Sequence, residues 1–321
     1  MDATLEQWID HPSGFLALSA QHQRFTLAKY PGFIAYRDQG QHRIAFGGVQ
    51  APAEVRRELL TSFLTEATQQ QRRVLIVQIR ANQIPLFQEC GATLNQLGSN
   101  FSLSLDGYTL AGTRKMKLRH KLKQAQQAKL QVVELGKEWP RDEATFTQLL
   151  HISTRWLAAK RKKELAFMIG EMGTPAEIQR RIFVALNADH QPLGFITYVP
   201  AWGERPGYLH DLTRRLPNAP PGTMEFCNIY AIQRFIAEKV SWLHFGFTPF
   251  VVTEAELPSA NRVMAKLVRL LRRHGQIIYP AENQAAYKLK WGVDHIEPEY
   301  IAGFPLSLRA VWDLLILTRS I

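Results

Sequence analysis

The sequence predicts an α/β protein of two similar units with mixed (α+β) central sheets, joined near residues 106–142. Three observations carry this reading. Segments alternate as strand hairpin, helix, strand, helix, strand, and much the same order recurs in the second half. The run Val74-Leu75-Ile76-Val77 is apolar without alternation, as in a strand covered on both faces. The length of 321 residues suggests two domains or one large one.

The elements follow in chain order. Phe33 to Tyr36 and Arg43 to Phe46 read as a hairpin around Asp38-Gln39-Gly40. A helix over about 53–70 carries Val55, Leu59, Leu60, Phe63, Leu64 and Ala67 at helical spacing. After the buried strand, a short helix from Gln83 to Cys90 stops at Gly91, and Phe101 to Leu105 alternates as a strand. In the second half a helix from Glu143 to Arg161 precedes strands Ile182–Leu186, Gly194–Val199 and Tyr208–Leu212. Then come a helix from Met224 to Lys239, strand Trp242–Phe245, helix Ala260–His274 and strand Gln276–Tyr279. The domain reading is 1–111, a connecting helix at 112–136, and 137–321.

Composition excludes several classes. Apolar residues make up 46% and charged residues 21%, so the chain is globular rather than disordered. The two cysteines, Cys90 and Cys227, form no disulfide framework and fit a reducing compartment. The acidic start lacks a secretory pattern, and no run reaches the roughly 18 apolar residues of a membrane span. A cytoplasmic protein, at most peripheral at the inner membrane face, is expected. The 39 Lys and Arg against 28 Asp and Glu leave +11, which favours a polyanionic partner.

Part of that charge has an address. Arg114, Lys115, Lys117, Arg119, Lys121, Lys123 and Lys129 lie in one stretch with no acid, while Leu118, Leu122 and Ala125 are spaced to pack inward. An ordinary solvated helix mixes both signs. A single-sign helix fits phosphates of RNA or of a lipid headgroup, or else is a solvated linker. Lys160-Arg161-Lys162-Lys163 forms a second cluster.

No zinc-ligand spacing, phosphate-binding glycine loop, dinucleotide fingerprint or serine-hydrolase elbow occurs, so neither a metal nor a bound cofactor is expected. Acyl transfer by direct attack of a hydroxyl or amine remains open, since it needs only positioned substrates, an acid/base group and oxyanion donors. The densest unusual stretch runs from Gly207 to Phe226. Asp211 stands beside Arg214 and Arg215, and a proline-rich turn leads through Gly222 and Thr223 into a helix with Glu225 in its first turn. Asp211 and Glu225 suit an ammonium, and the arginines with the helix start suit phosphate. Equally, Asp211 serves as an ion-pair partner for Arg214 and Thr223 as a helix cap. Tyr287-Lys288-Leu289-Lys290-Trp291 alternates, which on a strand turns Lys288 and Lys290 to one face, either toward an anion or as a defended sheet edge. Glu297-Pro298-Glu299-Tyr300 reads as an acidic turn, and 304–321 as an amphipathic helix that docks on its own core or lies on a membrane.

These motifs resemble those of the soluble C-terminal catalytic domain of aminoacyl-phosphatidylglycerol synthases, the phosphatidylglycerol lysyltransferase or multiple peptide resistance type. Asp211-Leu212-Thr213-Arg214 resembles the family's Asp-Leu-Met-Arg, and Pro220 to Phe226 its Pro-x-Gly-x-Met-Asp/Glu-Phe turn. Phe245 to Phe250 is similar to its Leu-Gly-x-Ala-Pro-Leu, and Tyr287 to Trp291 to its closing Phe-Lys-x-Lys-Phe. Trp156-Leu157 with Glu164, Phe167 and Gly170 resembles a further signature, and Leu97-Gly98 through Arg119 the stretch that bridges the family's two halves. Phe87 to Ala92 resembles a helix-to-strand junction of GNAT acyltransferases.

The resemblance spans about residues 30–305. It implies two tandem GNAT-like domains and transfer of an aminoacyl group from aminoacyl-tRNA to a lipid hydroxyl. The basic helix would then meet the tRNA or lipid phosphate. It also implies a site of Asp211, Arg214, Glu225, Lys288 and Lys290, with Asp211 and Glu225 on the aminoacyl ammonium, Arg214 and Lys290 on phosphate, and Lys288 on the developing oxyanion. Two departures stand out: Ala281 to Gln284 replaces Phe-x-Gly-Leu, and Thr213 replaces Met. The family's multi-span membrane domain is missing from this sequence, which keeps a soluble hydroxyl or amine acceptor open beside a phospholipid. The alternatives are an acetyl-CoA N-acyltransferase and a non-catalytic module binding RNA or anionic lipid. The only near match to a CoA loop, Gln88 to Thr93, ends in Thr where a strand should begin.

Overall fold

The computed structural model describes residues 6–160, 164–274 and 281–320. Arg161 to Lys163 of the second basic cluster and the strand expected over 276–279 lie outside the described residues. One eleven-stranded sheet organises the rest. Its strands are β1 (Gln23–Leu27), β2 (Tyr30–Gln39), β3 (His42–Gln50), β4 (Arg73–Arg80), β5 (Thr93–Ser104) and β6 (Gln131–Glu134), then β7 (Arg181–Leu186), β8 (Pro192–Ala201), β9 (Gly207–Arg215), β10 (Trp242–Pro249) and β11 (His295–Phe304). The order across the sheet is β1-β2-β3-β4-β11-β5-β10-β9-β8-β7-β6. The helices are α1 (Arg56–Gln69), α2 (Ile84–Glu89), α3 (Met116–Gln127), α4 (Glu143–Lys160), α5 (Thr223–Ala237), α6 (Arg262–His274), α7 (Ala281–Leu289) and α8 (Leu308–Leu317).

Each half is a set of antiparallel strands closed by one parallel pair with a crossover helix: β3 and β4 through α1, β9 and β10 through α5. This is the tandem GNAT-like arrangement that the resemblance implies. The alternating pattern of each strand divides its side chains between two clusters. In the first half Ile34, Tyr36 and Ala45 meet Leu59, Leu60 and Phe63 of α1. Their neighbours Phe33, Ala35, Ile44 and Phe46 turn the other way, into a cluster with Met264 and Val268 of α6 and Ala310, Leu314 and Leu317 of α8. In the second half Phe183, Ile196 and Tyr198 meet Cys227, Ile232 and Phe235 of α5 and Leu118 and Leu122 of α3. Ile182, Val184 and Phe195 meet Phe146, Leu149 and Ile152 of α4.

Three expectations are corrected. The segment from Tyr287 is the end of helix α7, not a strand. Ala281, Glu282, Gln284, Ala285 and Ala286 favour a helix, and Tyr287 and Trp291 at i,i+4 fit a helical face as well as an alternating one. Lys288 and Lys290 therefore do not share a strand face. The acidic turn at 297–300 is part of β11 in the middle of the sheet. Its carboxylates have partners there: Glu299 meets His11 Nε2 at 3.1 Å and accepts from Asn100 Nδ2 at 2.9 Å, and Glu297 pairs with Arg205 at 2.8 Å. Against the opposing effect of burial, His295, Arg80 and Arg205 hold the Glu297 carboxyl down to about 2. The strand expected at Phe101 to Leu105 begins at Thr93, eight residues earlier than expected, because β5 is paired on both edges, by β11 and β10.

The last strand thus belongs to the first half of the sheet. β11 lies between β4 and β5, while β5 reaches across to pair with β10. The helix α8 that follows docks over β2 and β3, pinned by Asp313, whose Oδ2 lies 2.7 Å from His42 Nδ1.

Candidate active site

Both parallel pairs splay apart beyond a few residues of pairing. β3 and β4 pair from His42↔Arg73 to Phe46↔Val77, and β9 and β10 only from Gly207↔Trp242 to Leu209↔His244. In the first half the gap is filled by amide side chains. Gln83 Oε1 accepts from Val49 N at 3.0 Å, Gln83 Nε2 donates to Val49 O at 3.3 Å, and Gln50 Nε2 donates to Gly47 O.

The second gap has a different lining. Helix α7 packs on β10 and sets Lys288 there, its Nζ donating to Gly246 O at 2.7 Å and Phe247 O at 3.0 Å. Among the described residues no carboxylate lies within ion-pair distance of it, and burial, opposed by the more distant Glu299, lowers its pKa to about 7. His210 on β9 is buried beside it; burial first and Lys288 second lower its pKa to about 3, so the ring is neutral. Its Nε2 lies 2.7 Å from Thr213 Oγ1, and its ring stands 6.4 Å from that of Tyr287. Among the described residues His210 Nδ1, Asn228 Nδ2, the Tyr287 hydroxyl and Trp291 Nε1 are buried without a well-formed hydrogen bond, Asn228 standing as a loose neighbour of His210 and Trp291 of Tyr287. Buried polar groups are nearly always paired, so this lining is shaped for a polar occupant.

A bulge in β9 divides the Asp-Leu-Thr-Arg motif between the two faces of the sheet. Ile196 faces Thr213 and Tyr198 faces His210, so Thr197 alone opposes Asp211 and Leu212, and its Oγ1 accepts from Leu212 N at 2.9 Å. His210 and Thr213 turn toward α5 and α7. Asp211 turns the other way: it receives Arg180 Nη1 at 2.5 Å and Gly170 N at 2.9 Å, and both partners of this ion pair are buried. Arg214 lies on the α4 side, with Nε 3.3 Å from Ser153 Oγ, its guanidinium 4.3 Å from the Trp156 ring, and an ion pair to Glu164. Asp211 therefore pairs with Arg180 rather than Arg214.

On the α5–α7 face Glu225 pairs with Lys290 at 2.7 Å, and that ammonium sits 3.9 Å from the Tyr287 ring centre. Among the described residues no hydrogen bond or ion pair joins Asp211 to Glu225, or Lys288 to Lys290. Thr223 is buried and donates to Pro220 O at 2.6 Å, which braces the turn before α5. Gly222 has φ +88°, and a Cβ there would stand 2.0 Å from Lys121 O. Only glycine fits, and through it the backbone of the basic helix touches the start of the helix that carries Glu225.

In α3 Leu118, Leu122 and Ala125 are buried, as their spacing predicts. Arg114, Lys117, Arg119 and Lys123 are exposed, and Lys115 and Lys121 half-buried. Lys115 donates to Thr109 O and Arg119 to Leu110 O and Gly112 O, but among the described residues none of these six meets an acid within ion-pair distance. Arg215 is exposed and likewise unpaired. Sequence reasoning passed over His210, Asn228 and Arg180. The first was visible as a histidine next to Asp211 in a strand; the other two carried no local signal. Among the described residues no group of three or more His, Cys, Asp or Glu is arranged for a metal ion. A surface cavity of about 490 Å³ between Trp8, Asp10, Arg56 and Trp202 shares no residue with this site.

The fold is thus a tandem GNAT-like sheet with a buried lysine in the splay of its second half. The chain belongs to the family described as Phosphatidylglycerol lysyltransferase, C-terminal, whose profile it matches over residues 2–303. It is 22% identical to the phosphatidylglycerol lysyltransferase of Staphylococcus aureus (strain COL), over 89% of this chain and 33% of that protein. It is 27% identical to the lysylphosphatidylglycerol biosynthesis bifunctional protein LysX of Mycobacterium tuberculosis, over 43% of this chain and 12% of that one. The chain thus spans a third or less of the length of these curated relatives. Among solved structures it is similar to L-PGS from Bacillus licheniformis (TM-score 0.81, 18% identity, 99% of this chain and 95% of that). It is also similar to a C-terminal domain of a lysylphosphatidylglycerol synthetase from Agrobacterium fabrum (TM-score 0.79, 20% identity, 97% and 93%).

Proposed function

We propose that the chain moves an aminoacyl group from aminoacyl-tRNA to a hydroxyl of a phosphatidylglycerol-like phospholipid, at the splay between β9 and β10. The carrying observation is Lys288, a buried lysine with a pKa of about 7 held on two backbone carbonyls in the splay. With both N–H groups of the neutral amine donated to Gly246 O and Phe247 O, its lone pair is free to take a proton. In this reading the lipid oxygen attacks the ester carbonyl and its proton passes to Nζ. The resulting ammonium faces the oxyanion, and the proton then goes to the ribose oxygen that leaves. Burial supplies the near-neutral pKa this exchange needs.

Glu225 lies on the Lys288 face and takes the aminoacyl ammonium, exchanging it for Lys290, which is released toward phosphate. Asp211 acts from the other face by fixing Arg180 and the bulge that aims His210. Arg114, Lys117, Arg119, Lys121 and Lys123 bind tRNA phosphates, and the contact of Gly222 with Lys121 O brings that helix to the edge of the site.

The test incubates the protein with radiolabelled aminoacyl-tRNAs and phosphatidylglycerol vesicles, with and without RNase. Label is expected in lipid, sensitive to RNase, and lost in Lys288→Met and Glu225→Gln. Acetyl-CoA consumption without label transfer, or RNA retention without any turnover, overturns the reading.

A further inference from the structure

The apolar cluster on one face of the first half is covered by two helices whose outward sides carry exposed cations in one and exposed apolar residues in the other. In α6 the inward side is Met264, Ala265 and Val268. Its outward arc carries Arg262, Lys266, Arg269 and Arg273, all exposed, bordered by Val263 and Leu270 at 60% and 56% exposure. The helix has no acid, and of its described cations only Arg269 has an ion-pair partner, Glu256 at 3.1 Å. In α8 Ala310, Asp313, Leu314 and Leu317 face inward, yet the outward side is apolar too. Leu308, Trp312 and Ile316 repeat every fourth residue and are 56%, 52% and 38% exposed. A helix with apolar residues on both sides is expected to be buried on both.

Both helices pack into the same cluster, α8 over β2 and β3 and α6 over β5, so their outward sides belong to one face of the molecule. A basic strip on α6 and an apolar strip containing a tryptophan on α8, over the same cluster, match the boundary between anionic headgroups and acyl chains. No helix among the described residues is long and apolar enough to cross a bilayer. We propose that this α6–α8 face docks in the plane of an anionic phospholipid membrane, with Leu308, Trp312 and Ile316 entering the acyl boundary and the α6 cations meeting phosphates. The proposal deepens the lipid-acceptor reading and rests on it: docking presents the acceptor to the site as a surface substrate, while α3, on another cluster, is left for the tRNA.

The experiment is flotation of the protein, with no aminoacyl donor, on vesicles of pure phosphatidylcholine or of phosphatidylcholine with 30% phosphatidylglycerol. Binding is expected only to the anionic vesicles. It should fall at least tenfold in Trp312→Ala/Ile316→Ala and in Arg262→Glu/Arg273→Glu, and be unchanged in Lys117→Glu/Lys123→Glu. Circular dichroism melting keeps the variants comparable, since every substituted side chain is exposed or half-exposed. Equal binding to both vesicle types, or loss only in the α3 variant, overturns the proposal. So does a parent dimer in sedimentation that Trp312→Ala converts to monomer, since a second copy then covers the face. Transfer to detergent-dispersed phosphatidylglycerol without vesicle binding defeats the docking face and leaves the proposed function standing. Vesicle binding without transfer does the reverse.

Discussion

The two splays of the sheet start from the same backbone event and end differently. Beyond Phe46 and Val77 the first gap is closed by Gln83 and Gln50, whose amides satisfy the backbone of β3. Beyond Leu209 and His244 the second gap receives a lysine, a neutral histidine and a tyrosine, and leaves polar atoms unpaired. Each unpaired group costs about 1–3 kcal/mol. The first gap is not free of that cost, since among the described residues Gln78 Oε1, one residue beyond Val77, is also buried without a hydrogen-bond partner, so the difference between the gaps lies in the buried lysine. The outer face of the first half carries the α6–α8 surface.

The largest effect on this contrast should come from the brace behind the second gap. Arg180→Met strands the buried Asp211 carboxylate and should cost about 3–5 kcal/mol in denaturant unfolding, with release of the β9 bulge. Next is Lys288→Met, expected to reduce transfer by about 10²–10³-fold while the protein stays folded; full activity would move the site elsewhere. In the first half Gln83→Ala should cost about 1–3 kcal/mol of stability and leave kcat unchanged. A comparable fall in kcat would make the two splays equivalent and break the comparison.

A titration sharpens it. Lys288 has a folded pKa of about 7, below its ordinary value of 10.5, so between these pH values the unfolded chain binds the extra proton. Stability should therefore rise with pH across that window, by up to about 1.4 kcal/mol per unit, and Lys288→Met should abolish that part of the slope. The smallest effect is Tyr287→Phe. Removing a buried hydroxyl held only loosely by Trp291 should change unliganded stability by no more than about 1 kcal/mol and weaken substrate binding, seen as a higher KM.

The sequence made most elements readable because their periodicity is strong: α1, α3, β4 and β7 fall close to where spacing puts them. It misled where two periods coincide over five residues, at Tyr287 to Trp291, and where charge suggested solvent, at Glu297 and Glu299. Glu299 is buried and Glu297 half-buried because His11, Asn100 and Arg205 arrive from distant parts of the chain. The lysines and Glu225 were legible by residue type. Their division from Asp211 and Arg214 was not, because a one-residue bulge sends the motif to both faces of the sheet. Arg180, thirty-one residues from its partner, left no local trace.

The position of β11 bears on how the molecule comes into being. Its pairing with β4 joins residues more than two hundred apart, and until residues 295–304 leave the ribosome both β4 and β5 hold an unpaired edge. Such an edge is a template for pairing with another chain. The first half, made first, is completed last, so synthesis carries a long interval in which a nascent sheet is open at its middle.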